Sequence, residues 1–179
     1  MDIPTLHQKI CTCKLCPLSE GRKCAVPGSG PSPAQIMLVG EAPGREEDLK
    51  GLPFVGRAGR LLDTALAQAG LERSEVFITS VIKCRPPENR KPMKREVDLC
   101  RPYLQAQMDL VRPRIVCLMG NTATQAVLGM QGITTLRGEI QQSRFLVTYH
   151  PAAVLRNNNL MEEFVSDLRM ARGMRTLRF

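Results

Sequence analysis

Tryptophan is absent from the 179 residues, and with two tyrosines and five phenylalanines the aromatic share is only 4%. A ring that falls on a loop instead of in a strand therefore stands out as a candidate for stacking on a flat ligand. Histidine occurs twice, which narrows the search for a neutral-pH acid, base or donor to two positions. No apolar run approaches the length that crosses a bilayer, and the first residues lack a signal-peptide core. A cytoplasmic location without membrane attachment is expected. Neither an internal repeat nor a low-complexity tract is present, so a single domain over residues 1–179 is the expected organisation. The only short glycine pair of phosphate-loop character, Gly28-Ser29-Gly30, lacks the Lys-Ser/Thr that completes such a loop, which argues against an enzyme of free nucleotides.

Basic residues and cysteine are abundant. Lys and Arg total 25 against 17 Asp and Glu, a formal charge of +8. That balance favours a polyanionic partner such as nucleic acid, although a solvated basic surface has the same composition. Seven cysteines in a reducing compartment point to metal or redox chemistry more than to disulfides. Cys13 and Cys16 form a pair two residues apart in an irregular Cys/Pro/Gly/Ser-rich segment, residues 1–33, with one short helix expected around Leu6 to Ile10. Cys84 and Cys100 lie after an apolar run and on the helix that follows. Four thiolates suit an iron–sulfur cluster or a structural zinc equally, and spacing does not separate the two. Cys84 and Cys100 can also be read as small buried hydrophobes, and Cys11 and Cys24 are rival ligands. Cys117, inside an apolar run, reads as core.

From Ile36 onward four short apolar runs appear: Ile36–Val39, Val76–Thr79, Ile115–Met119 and Phe145–Thr148. Each has the continuous hydrophobicity of a strand buried on both faces. Between them lie helical spacings: Leu61, Leu62, Ala65, Leu66 and Ala69 before Gly70, then Val97, Leu104, Met108 and Val111, with Pro102 marking a break or a first turn. Helices are also expected over Thr122 to Leu128 and Leu160 to Met174, the latter burying Phe164, Leu168 and Met170. This alternation predicts an α/β fold, three layers with a central four-stranded parallel sheet, and places functional loops at the carboxyl ends of the strands.

Three motifs fall at those ends. Gly40-Glu41-Ala42-Pro43-Gly44 follows the first strand, where glycine permits close backbone approach to a ligand, although a turn with a surface glutamate has the same pattern. The segment continues through Glu46, Glu47 and Asp48 to Gly51, Pro53, Phe54, Val55 and Gly56, delivering a ring on a Gly/Pro-rich loop. Tyr149-His150-Pro151-Ala152-Ala153-Val154-Leu155-Arg156 follows the fourth strand. There His150 is either a loop hydrogen-bonder or a donor to negative charge growing on a carbonyl oxygen.

Taken in order, these segments resemble the family-4, iron–sulfur branch of the uracil-DNA glycosylases over nearly the whole chain. The resemblance is carried by Cys13/Cys16, Gly40 to Gly44 with Glu47 and Asp48, Gly51-Leu52-Pro53-Phe54-Val55-Gly56 with Gly59, Lys83-Cys84-Arg85-Pro86-Pro87-Glu88-Asn89-Arg90, Cys100, and His150-Pro151-Ala152 with Leu155-Arg156. It implies a structural 4Fe-4S cluster on Cys13, Cys16, Cys84 and Cys100, with zinc as the alternative, stapling residues 1–33 to the domain. It further implies that the backbone of Gly40, Glu41 and Ala42 contacts a flipped uracil, that Phe54 stacks on it, and that His150 holds its O2. Glu41, Glu47 and Asn89 would position water or the motif loops. Ala42 stands where classical uracil-DNA glycosylases carry an aspartate. Leu155 and Arg156 would enter the minor groove, although a packed loop leucine and a solvated arginine have the same pattern. Arg85, Arg90, Lys91, Lys94 and Arg137 are candidate phosphate contacts or simply surface charge. The partner is then DNA carrying uracil or another deaminated base. A monomer is expected, and contact with a sliding clamp or another repair protein is left open.

One residue departs from that pattern: Ser80 stands at the end of the second run where the family usually has asparagine. An amide reads the O4 and N3 edge of uracil with two hydrogen bonds, whereas a hydroxyl is shorter and makes one. Uracil selectivity is expected to weaken, admitting bases such as xanthine or hypoxanthine. No lysine is motif-placed for a Schiff base, so hydrolysis to an abasic site without strand cleavage is expected. The rival reading is a non-catalytic iron–sulfur DNA-binding module of the same fold.

Overall fold

The structure, a computed structural model, describes residues 1–175; the last four positions of the expected 1–179 domain lie outside them. Helix α1 (Ile3–Cys11) and the single turn α2 (Leu18–Gly21) precede strand β1 (Ile36–Gly40). Helices α3 (Arg45–Lys50) and α4 (Arg57–Gln68) lead to β2 (Val76–Ser80), and α5 (Lys94–Val111) to β3 (Ile115–Met119). After α6 (Asn121–Leu128), α7 (Ile133–Leu136) and the short β4 (Ile140–Gln141) comes β5 (Phe145–Thr148), followed by α8 (Pro151–Arg156) and α9 (Met161–Met174).

Among the described residues the strands form one sheet in the order β2-β1-β3-β5-β4, parallel throughout except that β4 runs antiparallel to β5. The four expected strands are thus joined by a fifth, two residues long. Its half-buried Ile140-Gln141 is too short for alternation to betray it.

Every residue of β1, β2 and β3 is buried, and their side chains part between two layers as the period of two requires. Ile36, Leu38, Val76, Ile78, Ile115 and Cys117 meet helices α4 and α9 on one face. Met37, Val39, Phe77, Val116 and Leu118 meet α5 and α6 on the other. The chain leaves β1 for β2 on one side and returns to β3 on the other. The strand order therefore reverses next to β1, which opens a crevice at its carboxyl end.

Two helix expectations need correction. Helix α5 runs without interruption through Pro102. Pro102 and Asp98, whose carbonyl loses its i+4 partner, are both exposed, so solvent can replace the missing bond. In α9, Phe164 and Leu168 are buried but Met170 is 40% exposed. Six residues on from Phe164, Met170 lies well off the buried stripe.

The N-terminal segment also has attachments besides its cysteines. Leu6 and Ile10 of α1 bury themselves with Ala25 against Tyr103, Ala106 and Leu110 of α5. Ser29 exchanges two backbone hydrogen bonds with Ile78, and Val26 N–H donates to the Lys83 carbonyl at 2.7 Å. The buried Asp48 accepts the backbone N–H of Lys23 at 3.0 Å.

Candidate active site

At the carboxyl ends of β1, β2 and β5 lies a cavity of about 370 Å³ whose walls include Glu41, Ala42, Phe54, Ser80, Asn89 and His150. Residues far apart in sequence meet there because β2 and β1 are neighbours in the parallel sheet and β5 lies one strand further on, beyond β3, so that all three end on the same edge. Gly40 supplies room more than surface, since a Cβ on it would lie 2.5 Å from Phe54 Cζ.

Phe54 is held in a conformation that a phenylalanine does not adopt unaided. Its φ is 48°, in the left-handed region that costs on the order of 1 kcal/mol or more for a residue with a Cβ. Three contacts enforce it. Arg73 Nη1 donates to the Phe54 carbonyl at 3.0 Å, and its Nη2 donates to the Pro53 carbonyl. Gly59 lies so close that a Cβ there would sit 1.9 Å from the Phe54 oxygen. The Glu47 carboxylate accepts the backbone N–H groups of Val55 and Gly56 at 2.8 and 2.9 Å, and that of Gly44 at 3.1 Å. Glu47 thereby joins the loop after β1 to the loop that presents the ring.

His150 is the N-cap of α8, and its Nδ1 accepts the Ala152 N–H at 3.0 Å. Nδ1 then carries no proton, so in the neutral ring Nε2 carries it and is a donor. Burial first, then the Arg156 charge, push the imidazole pKa down to about 4, with Glu47 opposing. The ring is therefore neutral at pH 7. Its centroid lies 5.7 Å from that of Phe54, at an interplanar angle of 37°. Gly120, with φ 94°, makes room for it, because a Cβ there would be 3.0 Å from the His150 Cβ. The two residues before His150 are clamped from behind. Thr148 Oγ1 donates to Asp167 at 2.6 Å and the Tyr149 hydroxyl donates to Glu163 at 2.8 Å.

A second, tighter cavity of about 20 Å³ is lined by Cys13, Cys16, Cys84 and Cys100 together with Ile10, Leu15, Leu99 and Tyr103. Arg22 Nη1 donates to the Cys84 sulfur at 2.9 Å. Cys11 is exposed, and Cys24 faces the Leu49 carbonyl. Cys117 is fully buried in β3, its thiol pushed up to about 12 by burial. Among the described residues no group of three or more His, Cys, Asp or Glu side chains closes around a single ion. Four soft donors around a shared space, with a guanidinium beside them, have the chemistry of a thiolate-ligated metal centre.

The profile of the uracil DNA glycosylase superfamily matches residues 27–169. The chain is 44% identical to the type-4 uracil-DNA glycosylase of Pyrobaculum aerophilum, over 97% of this chain and 94% of that one. Its identity to the enzyme of the same name from Archaeoglobus fulgidus is 41% (94% and 90% covered), and to that from Thermotoga maritima 37% (94% and 92% covered). This chain belongs to the uracil DNA glycosylase superfamily.

Glu41, Ala42, Glu47, Phe54, Ser80, Asn89, Arg90 and His150 all line the first cavity, whereas Arg85, Arg137, Leu155 and Arg156 do not. Glu41 accepts a hydrogen bond from the Thr122 hydroxyl across the crevice between β1 and β3. Asn89, at φ 56°, accepts Arg85 Nε at 2.7 Å. Arg90 lines the cavity but is engaged by Glu96 at 2.9 and 2.6 Å. Leu155 is 39% exposed and Arg156 is exposed on the last turn of α8. Arg137 turns inward to a bidentate contact with the buried Asp167, leaving it poorly placed for phosphate. Sequence reasoning missed Arg73, Thr122 and Gly120. Arg73 lies in an ordinary polar turn, and Thr122 opens an expected helix without any pattern that marks it as a partner of Glu41; only Gly120, directly after a strand, carried a readable signal.

Proposed function

We propose that this chain is a monofunctional uracil-DNA glycosylase of the type-4 kind, initiating base excision repair by hydrolysing the N-glycosidic bond of a flipped deaminated base. The observation that carries the reading is the meeting of the Phe54 ring and the neutral imidazole of His150 at one strand-end cavity.

The chemistry follows from where charge develops. As the C1′–N1 bond lengthens, its electron pair leaves with the base, the sugar becomes oxocarbenium-like, and negative charge spreads onto the uracil oxygens. The Nε2–H of His150 is a donor ready for O2, and a preorganised donor in a site shielded from water stabilises that anion strongly. Phe54 stacks on the base and fixes its plane. Water then bonds to C1′ and releases its proton to solvent or to the departing base. Glu41, oriented by Thr122, and Asn89 at the rim are the polar groups suited to place that water, while Glu47, taken up by three amides, holds the loops. Leu155 and Arg156 fit a wedge and a phosphate contact at the minor groove, with Arg85 and Arg90 beside the cavity.

Cys13, Cys16, Cys84 and Cys100 hold a 4Fe-4S cluster in this reading. When bound, it supplies metal–thiolate bonds that tie residues 13–16 to the segment after β2 and to α5. The protein is inferred to act as a cytoplasmic monomer, where thiols stay reduced.

The test is incubation with oligonucleotides carrying uracil, xanthine, hypoxanthine or thymine opposite each base. Release of uracil with strand scission only after alkali is the expected result. Tight binding to uracil DNA without abasic product would replace the glycosylase with a DNA-binding module.

A further inference from the structure

Lys83 is 1% exposed, and its ammonium donates to three neutral oxygens: Thr79 Oγ1 at 2.7 Å, the Ser80 carbonyl at 2.6 Å and Gln107 Oε1 at 2.7 Å. Gln107 in turn donates through Nε2 to the Pro27 carbonyl. All three N–H groups are used, and among the described residues no carboxylate pairs with the charge. A buried cation held only by neutral acceptors is costly unless an anion lies nearby. The lysine lines the cysteine cavity, and its own backbone N–H is directed to the Cys100 sulfur. The other titratable neighbour it acts on, His7, is basic and is held below its usual pKa by burial and by Lys83 itself. Lys83 thus meets the cysteine centre through its own backbone N–H and through Cys84, the next residue in the chain. On the opposite side Lys83 grips Ser80, a wall of the base cavity. It does not itself line that cavity, so it is not a Schiff-base nucleophile.

We propose that Lys83 is a positioning residue that couples the cysteine centre to the base pocket: its backbone N–H and its stem meet the cysteines while its side-chain N–H groups fix the end of β2, and with it Ser80, for the incoming base. This rests on the glycosylase reading above for the identity of the pocket's ligand. Coupling between two sites is reciprocal. DNA bound at the pocket must then slow loss of metal from the cysteines, and loss of the lysine must be felt at both places.

The experiment compares anaerobically purified wild-type protein with Lys83→Met, which keeps the stem and removes the ammonium. Two quantities are read: metal release to a chelator with and without uracil-containing duplex, and single-turnover excision with the affinity for that duplex measured separately. In the wild type, DNA is expected to slow release about fivefold or more. In Lys83→Met that protection disappears, the affinity of the metal-loaded protein for the duplex falls by about the same fivefold, and the excision rate at saturating duplex falls about 10- to 100-fold. A merely structural lysine would lower the melting temperature and leave protection and rate intact, and that outcome overturns the proposal. So does a wild type that binds no metal. Should Lys83→Met fail to fold, Thr79→Val, which removes one acceptor, decides: a smaller loss of protection supports the coupling, and full retention overturns it. A wild type that releases no base retires the glycosylase reading, whereas the metal-release comparison still decides Lys83.

Discussion

The Nδ1 of His150 accepts the backbone N–H of Ala152 at 3.0 Å, and that bond decides what the other ring nitrogen can do. It leaves Nε2–H as a donor, and burial keeps the ring neutral down to about pH 4. Excision is therefore expected to show no titration of this residue near its ordinary value of 6.5, with single-turnover rates level on its account from about pH 5 to 8. His150→Ala should lower the rate about 10²- to 10³-fold, the loss typical of one donor to a developing anion. The same depression has a consequence for folding. Between pH 6.5 and about 4 the unfolded chain binds a proton here that the folded chain refuses, so this residue's contribution to stability is complete above 6.5 and falls as the pH drops towards 4. Rate and melting temperature against pH check both statements, and a rate inflection near 6.5 that vanishes in His150→Gln would refute the neutral-donor assignment.

Arg73 is the clamp on the loop that presents the Phe54 ring. Replacing it with methionine frees the Pro53 and Phe54 carbonyls and lets Phe54 relax out of its left-handed backbone. Base–aromatic stacking contributes about 1–3 kcal/mol, so Arg73→Met is expected to weaken binding of a flipped uracil about 5- to 100-fold and to approach the effect of Phe54→Ala. Arg73→Lys should restore little, because a single ammonium does not reproduce two parallel guanidinium bonds. The measurement is affinity for a duplex carrying a non-hydrolysable uracil nucleotide. An Arg73→Met protein that binds it as the wild type does would separate Arg73 from stacking.

Much of this architecture is legible in the residues because burial on both faces writes itself as continuous apolar runs. Ile36–Val39, Val76–Thr79 and Ile115–Met119 fall inside the observed strands, and the glycines of the first loop mark where backbone and ring approach closely. The rest depends on contacts between distant segments, which leave no local pattern. The two-residue β4 has no room for a period, and Pro102 is tolerated only because the exposed side of α5 meets water. Arg137 is as basic in sequence as Arg156, yet Asp167, thirty residues on, draws it into the core. Arg73 has the same character: nothing in Leu-Glu-Arg-Ser-Glu reveals that its guanidinium reaches back to position 54.

Ser80 is the residue to change for selectivity. It lines the cavity at the end of β2, beside Gly40, and offers one short hydroxyl where an amide could give two bonds to the O4 and N3 edge of uracil. Ser80→Asn is expected to raise uracil excision about tenfold, the order of one added good hydrogen bond to the reacting base, and to reduce any excision of xanthine or hypoxanthine. Single-turnover rates on the four-base panel check this. No gain on uracil would mean that a bridging water already completes the readout in the wild type.

On the proposed reading the cysteines divide into ligands and bystanders by position, and the division can be tested without any DNA. Cys13, Cys16, Cys84 and Cys100 share one cavity, whereas Cys11 is exposed and Cys24 lies against the Leu49 carbonyl. Serine keeps the volume of cysteine but is a hard, poor ligand for the soft metal ions such thiolates select. Cys84→Ser and Cys100→Ser, made after β2 and on α5, are therefore expected to lose the broad visible shoulder of an iron–sulfur cluster and most of the bound metal. They should also melt well below the wild type, since metal–ligand bonds contribute directly to folding. Cys11→Ser and Cys24→Ser should keep the wild-type spectrum, metal content and melting temperature. Arg22 supplies an internal check, because its guanidinium contacts the Cys84 sulfur and the Cys11 and Cys13 carbonyls; Arg22→Met should retain the metal but release it faster to a chelator. Loss of the shoulder in Cys24→Ser, or its persistence in Cys84→Ser, would move the ligand set to a different four. A protein that binds one zinc per chain and shows no visible band would replace the cluster with a zinc site on the same thiolates.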